Sequence, residues 1–137
     1  MIVIDTNVVF ELMRSEPDPN VVAWTASAGR LHTTAVTLAE VDYGIARLPE
    51  GRRKYQLTAI AAGVFADFDD VVLPFDSPAA RRYGTIVARR EKLGRPIANA
   101  DAQIAAICAS REAMLATRNT ADFDETGITV INPWQAT

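Results

Sequence analysis

Two residue types that much protein chemistry depends on are almost missing from this chain of 137 residues: it has one cysteine and one histidine. A lone cysteine closes no internal disulfide. Cys108 lies in the apolar stretch Ile104 to Ser110, which reads as a buried, inert thiol. His32 has neither a second histidine nor a cysteine cluster to join, so a structural zinc site and a histidine-based nucleophilic triad are both excluded. Long apolar runs are absent too: nothing approaches the roughly 18 residues of a membrane span. No basic segment precedes an apolar one at the N-terminus, so no leader is expected, and the chain reads as cytoplasmic. A net charge of −3 excludes a broad electropositive face for nucleic acid.

What is present is an ordinary globular composition. With 49% hydrophobic and 23% charged residues, disorder is excluded, and the length suits one domain over residues 1–137. The main chemical resource left is the carboxylates.

The first segment, Met1 to Val9, is the most informative. Four apolar residues run into Asp5, Thr6 and Asn7, as expected of a strand buried on both faces that delivers Asp5 to its C-terminal edge. A helix over 7–14 follows, with Asp5 or Thr6 as cap. Ser15 to Asn20 reads as a turn, and a helix then runs to Ala28 and closes at Gly29. Leu31 to Thr34 reads as a strand, and Thr37 to Leu48 as a helix with Leu38, Val41, Ile45 and Leu48 on one face. A helix from Arg52 to Phe68, a strand from Val71 to Phe75 and a helix from a Ser77 cap to Leu93 come next. The spacing then predicts a helix over 100–109 capped by Asn99, and strands over 113–117 and 128–131. This alternation implies an α/β fold with a mainly parallel central sheet and helices on both faces.

In such a fold, strand ends and helix starts share one rim. Asp5, Glu40, Asp101, and the pair Asn119 and Asp122 then reach it from four separate segments. Each has a structural explanation. Asp5, Thr6 and Asn7 are good cap types, Thr37 to Glu40 matches a capping box, and Asp101 near a helix start gains about 0.3–1 kcal/mol from the helix dipole. Asp101 tips the balance. It lies three residues before Ile104 and seven before Cys108, on the core-facing stripe, and burying a carboxylate there costs several kcal/mol unless it is paired or binds a cation. No basic residue lies one helical turn away. Glu40 heads a stripe with Tyr43, Gly44 and Arg47, while Asp42 points elsewhere. An oxygen-only set without His or Cys selects a hard ion, Mg²⁺ or Mn²⁺, which is suited to phosphodiester chemistry.

With those residues placed, the sequence resembles PIN-domain ribonucleases, more narrowly VapC-type toxins of bacterial toxin–antitoxin pairs. The matching pieces are MIVIDTNVV at Met1 to Val9, TLAE at Thr37 to Glu40, IANADAQIA at Ile97 to Ala105 and ATRNTADF at Ala116 to Phe123. The closing Asn132-Pro133-Trp134 resembles the FitB-like branch. Any one piece is weak; four in order, over essentially the whole chain, are specific.

The resemblance implies a PIN-like fold and a metal-dependent endoribonuclease, with Asp5, Glu40 and Asp101 as the acidic triad around Mg²⁺ or Mn²⁺. It also implies a fourth acid after the fourth strand. Here Asn119 stands where close relatives can have Asp, and Asp122 follows three residues later, so either could complete the site. Thr6, Asn7 and Thr117 are expected to orient the carboxylates. The implied partners are an RNA substrate, a small cognate antitoxin that covers the site, and a second copy of the chain in a homodimer. DNA would be reached only through the antitoxin.

Two alternatives can be weighed. A phosphotransferase of the haloacid-dehalogenase type wants a second Asp two residues after the first, and Asn7 stands there. A catalytically weak PIN-like binding module, acting with a DNA-binding antitoxin in autoregulation, is opposed by the complete triad and favoured by Asn119. For RNA contact, Arg52 to Lys54 and Arg89 to Arg95 are the candidate basic groups.

Overall fold

The computed structural model describes residues 1–66 and 72–135. Five strands form one wholly parallel sheet: β1 (Ile2–Ile4), β2 (Leu31–Thr34), β3 (Val72–Leu73), β4 (Met114–Ala116) and β5 (Val130–Ile131). Their spatial order is β3-β2-β1-β4-β5. The chain therefore builds outward from β1 in one direction and then returns to β1 to build in the other. The order reverses between β1 and β4, and ligand crevices of open α/β sheets lie at such points.

The apolar run of β1 is buried on both faces, as expected. Val3 joins one core cluster, with Ile104, Ile107, Cys108 and Leu115. Ile4, pointing the other way, joins a second, with Val8, Val9, Val41 and Ala116. Helices α1 (Thr6–Leu12), α2 (Pro19–Ser27), α3 (Ala35–Ala46) and α4 (Arg52–Ala66) contribute to the second cluster, and α5 (Ser77–Lys92) and α6 (Asn99–Ser110) to the first. Cys108 is fully buried, and burial pushes its thiol up to about 12, which makes it the inert core residue its context suggests.

The elements fall close to where the sequence puts them, but three caps differ. Asp76, not Ser77, caps α5, accepting from the Ala79 amide at 3.2 Å. Asn99 does not cap α6: it is the first helical residue, after Ala98, and its side-chain oxygen accepts from the Tyr83 hydroxyl at 2.6 Å. Helix α3 starts earlier than Thr37, because β2 turns directly into it at Thr34. The Thr34 hydroxyl accepts from the Thr37 amide at 3.0 Å and is the true cap. Thr37 to Glu40 is therefore not a capping box, and Glu40 sits in the second helical turn. The expected end of the fourth helix at Phe68 and the start of the third strand at Val71 lie outside the described residues.

Candidate active site

Asp5 ends β1 at the point where the sheet order reverses, and it is almost wholly buried. Its two oxygens are held separately. One accepts from the Thr6 amide at 2.8 Å, which makes Asp5 the cap of α1. The other accepts from the Thr117 hydroxyl at 2.7 Å and from the Asn7 side-chain amide at 3.3 Å. Thr117 follows β4, the strand beside β1, so parallel pairing brings together residues 112 positions apart. Asn7 also donates to the Thr117 hydroxyl and accepts from the Arg118 amide, each at 3.1 Å. Cap and site are thus one arrangement, with one carboxylate oxygen for each task.

Glu40 is reached through threonines. The Thr6 hydroxyl donates to Glu40 Oε1 at 2.7 Å and lies 3.1 Å from the Thr37 hydroxyl, which in turn lies 3.3 Å from that of Thr34. The freed Thr37 side chain is what makes this chain possible: it is not spent on a cap. Asp42 is exposed, as the helical spacing requires. At Gly44 a side-chain carbon would come only to ordinary contact with the Phe10 ring, at 3.8 Å.

Asp101 lies in the first turn of α6, half-buried at the mouth of the apolar stripe rather than within it. Its carboxyl group is pushed up to about 6, first by burial and then by the charges of Asp5, Asp122 and Glu40. The Arg90 guanidinium opposes this rise. A cation does therefore act on Asp101, from α5 rather than from its own helix. Asp5 is also raised, mainly by burial and further by Glu40 and Asp122, against the lowering effect of its Thr117 and Thr6 hydrogen bonds. Asp5 and Asp101 thus both feel the charges of Glu40 and Asp122.

Asn119 precedes the 3₁₀ turn Thr120–Phe123 after β4 and Asp122 lies within it, and both are exposed. The Asn119 amide donates to the Thr117 hydroxyl at 3.1 Å. Its side chain makes no hydrogen bond among the described residues. Asp122, by contrast, acts electrostatically on both Asp5 and Asp101. The single histidine is elsewhere, in β2, where burial lowers its pKa and keeps it neutral.

Among the described residues, no three of His, Cys, Asp and Glu converge into a ready-made metal cage. The donor chemistry nevertheless fits a hard cation. Every candidate ligand is oxygen, and the mutual repulsion that lifts Asp101 is what a divalent ion would relieve. Such an ion typically keeps several waters, which suits an open set of carboxylates.

Two contributors escaped the sequence reading. Thr37 was assigned to a cap. Arg90 falls in the sequence among the candidate basic groups for RNA contact, Arg89 to Arg95, yet it is only 5% exposed. Its spacing carried the signal: Ala79, Tyr83, Ile86 and Arg90 fall on one inward stripe of α5. Its neighbours are also committed, Arg89 to Glu125 at 2.8 Å and Arg95 to Asp124 at 3.4 Å.

The fold and this rim define a class: an α/β protein with a parallel sheet and an acidic, oxygen-only site where the strand order reverses. Residues 2–128 match the PIN domain family, and the chain belongs to it. It is 39% identical to the VapC ribonuclease Y4jK of Sinorhizobium fredii, over 98% of this chain and 99% of that protein. It is 36% identical to Toxin FitB of Neisseria gonorrhoeae, over 98% and 99% respectively. A chain in the solved structure of FitAB bound to an IR36 DNA fragment is 36% identical and superposes with a TM-score of 0.90, covering 100% of this chain and 98% of that one.

Proposed function

We propose that this protein is a divalent-metal-dependent endoribonuclease acting as the toxin of a bacterial toxin–antitoxin pair. The observation that carries this reading is Asp5 held by three donors at the reversal point of the sheet, with Glu40 tied in through Thr6, in a PIN-family chain. The names of the similar proteins, a VapC ribonuclease and Toxin FitB, support it.

Asp5, Glu40 and Asp101 are the metal-holding residues in this reading, with Thr6, Asn7 and Thr117 fixing the orientation of Asp5 and Glu40. Asp122 rather than Asn119 completes the set, because only Asp122 brings charge to the rim. Bound there, Mg²⁺ or Mn²⁺ would supply an activated water and stabilise the charge that develops on the phosphoryl oxygens. The protein's part is to hold Asp5 by three donors, so that its free lone pairs face one direction. A cation bound beside Asp101 would hold that carboxylate ionised, against the burial and acidic neighbours that otherwise raise it to about 6.

Residues 1–137 are read as a single nuclease domain acting in the cytoplasm. No helix among the described residues is long and apolar enough to cross a membrane. The antitoxin has a surface to use. A groove of about 1170 Å³ beside Asn7 has apolar walls that include Phe10, Leu48 and Trp134, with Arg14, Arg53 and Arg118 among them. Glu11, the one acid in it, is already paired with Arg14. A partner segment with an apolar face and acidic flanks fits that surface. Homodimerisation, and DNA contact made only by the antitoxin, complete the proposal. Asn119, a neutral residue where close relatives can have Asp, favours a second reading, a catalytically weak module serving autoregulation alone.

One experiment separates the two. Induction of the chain without antitoxin should arrest bacterial growth and leave new RNA 5′ ends, while Asp5→Asn should grow normally and leave none. Arrest that persists undiminished in Asp5→Asn would remove catalysis as its cause.

A further inference from the structure

Arg90 is a buried cation with no carboxylate in salt-bridge range among the described residues. Leaving a guanidinium in that state is costly unless its donors are satisfied. Here three of its five N–H donors go to backbone carbonyls. Nε donates to the Arg95 carbonyl at 2.7 Å, and Nη1 donates to those of Asp122 and Asp124 at 2.9 and 3.0 Å. The three carbonyls come from two segments: the loop after α5, and the turn that carries Asp122. A planar, fixed fork is suited to tying backbone segments in one geometry, which a flexible ammonium does less well.

The turn needs such a tie. It is one short 3₁₀ stretch whose only fully inserted anchor is Phe123, and Asp122 itself is exposed. We propose that Arg90 is a positioning residue for the metal site, setting Asp122 toward Asp5 and Asp101 by clamping the Asp122 and Asp124 carbonyls from behind. This rests on the metal-dependent reading above. Arg90 touches neither substrate nor metal; it acts through Asp122.

The test is a double-mutant cycle read by Mn²⁺ titration calorimetry on the purified, metal-stripped chain, with urea unfolding followed in parallel. Asp122→Asn and Arg90→Gln should each weaken Mn²⁺ binding about 10–100-fold, the range for outer partners of a metal site. The double variant should be no weaker than Asp122→Asn alone. A general loss of structure would instead multiply the two losses and track the urea midpoint. Multiplied losses, or Arg90→Gln with unchanged Mn²⁺ affinity, would overturn the proposal. If Arg90→Gln does not fold, Arg90→Lys keeps the buried charge without the fork and carries the same cycle. A wild type that binds no Mn²⁺ overturns the metal reading and this role with it. A wild type that binds normally beside an unaffected Arg90 variant overturns the role of Arg90 alone.

Discussion

Asp5 and Asp101 show how two carboxylates on one rim acquire different properties. Asp5 is the more deeply buried, yet three donors support its charge, and these oppose the rise that burial imposes. Asp101 is half-buried, accepts no hydrogen bond among the described residues and faces three like charges, so burial first and then those charges push its carboxyl up to about 6. In the unfolded chain the same group ionises near 3.8. Between those values the folded protein keeps a proton that the unfolded chain has released. Folding therefore loses stability from this group as pH rises through that interval, and recovers it as pH falls. Urea unfolding of metal-free protein should show a decline in stability from pH 4 to pH 7 that is smaller in Asp101→Asn. Equal pH slopes in the two proteins would mean that Asp101 is not strained. The same proton competes with a metal, so divalent-ion affinity should weaken as pH drops below about 6.

At the scale of elements, the caps decide where the site groups point. Three residues in a row at 5–7, two at 33–34 and two at 76–77 are all acceptable cap types by composition. The choice among them depends on where the strand's last ladder hydrogen bond falls, and pairing with another strand settles that. β2 stays paired with β3 through Thr34, so α3 starts at once and Thr37 is released toward Thr6. For α5, Asp76 is still extended and its carboxylate reaches the Ala79 amide, which leaves Ser77 inside the helix. Asp76→Ala should accordingly lose about 1 kcal/mol of stability. Ser77→Ala should stay within about 0.5 kcal/mol of the wild type. Chemical denaturation of the two variants checks this, and the reverse order would restore Ser77 as the cap.

At the scale of the molecule, the acids belong to α/β units on both sides of the reversal, so no fragment holds the site. Anything that binds them all also binds only the folded state. Mn²⁺ added to metal-free protein should therefore raise the melting temperature. A concentration a hundredfold above Kd corresponds to about 2.7 kcal/mol of stabilisation. Asp101→Asn should abolish the rise. A full rise in that variant, followed by differential scanning calorimetry, would remove Asp101 from the set.

The sequence by itself determined the α/β alternation and the buried first strand, and it pointed to Asp5, Glu40 and Asp101 as candidate oxygen ligands. Periodicity, composition and the order of motifs are local properties that survive without coordinates. It also excluded zinc and disulfide chemistry by scarcity alone. Only the tertiary structure decided that Thr117 holds Asp5, that Thr37 belongs to the Glu40 network, and that Arg90 is a buried clamp rather than a surface charge. Each of these depends on which strand lies beside which, or on which helix face meets another element. Hydrogen-bond partners more than a hundred positions apart leave no spacing to read. Of Asn119 and Asp122, three residues apart, only the second is an acid, and its charge acts on Asp5 and Asp101.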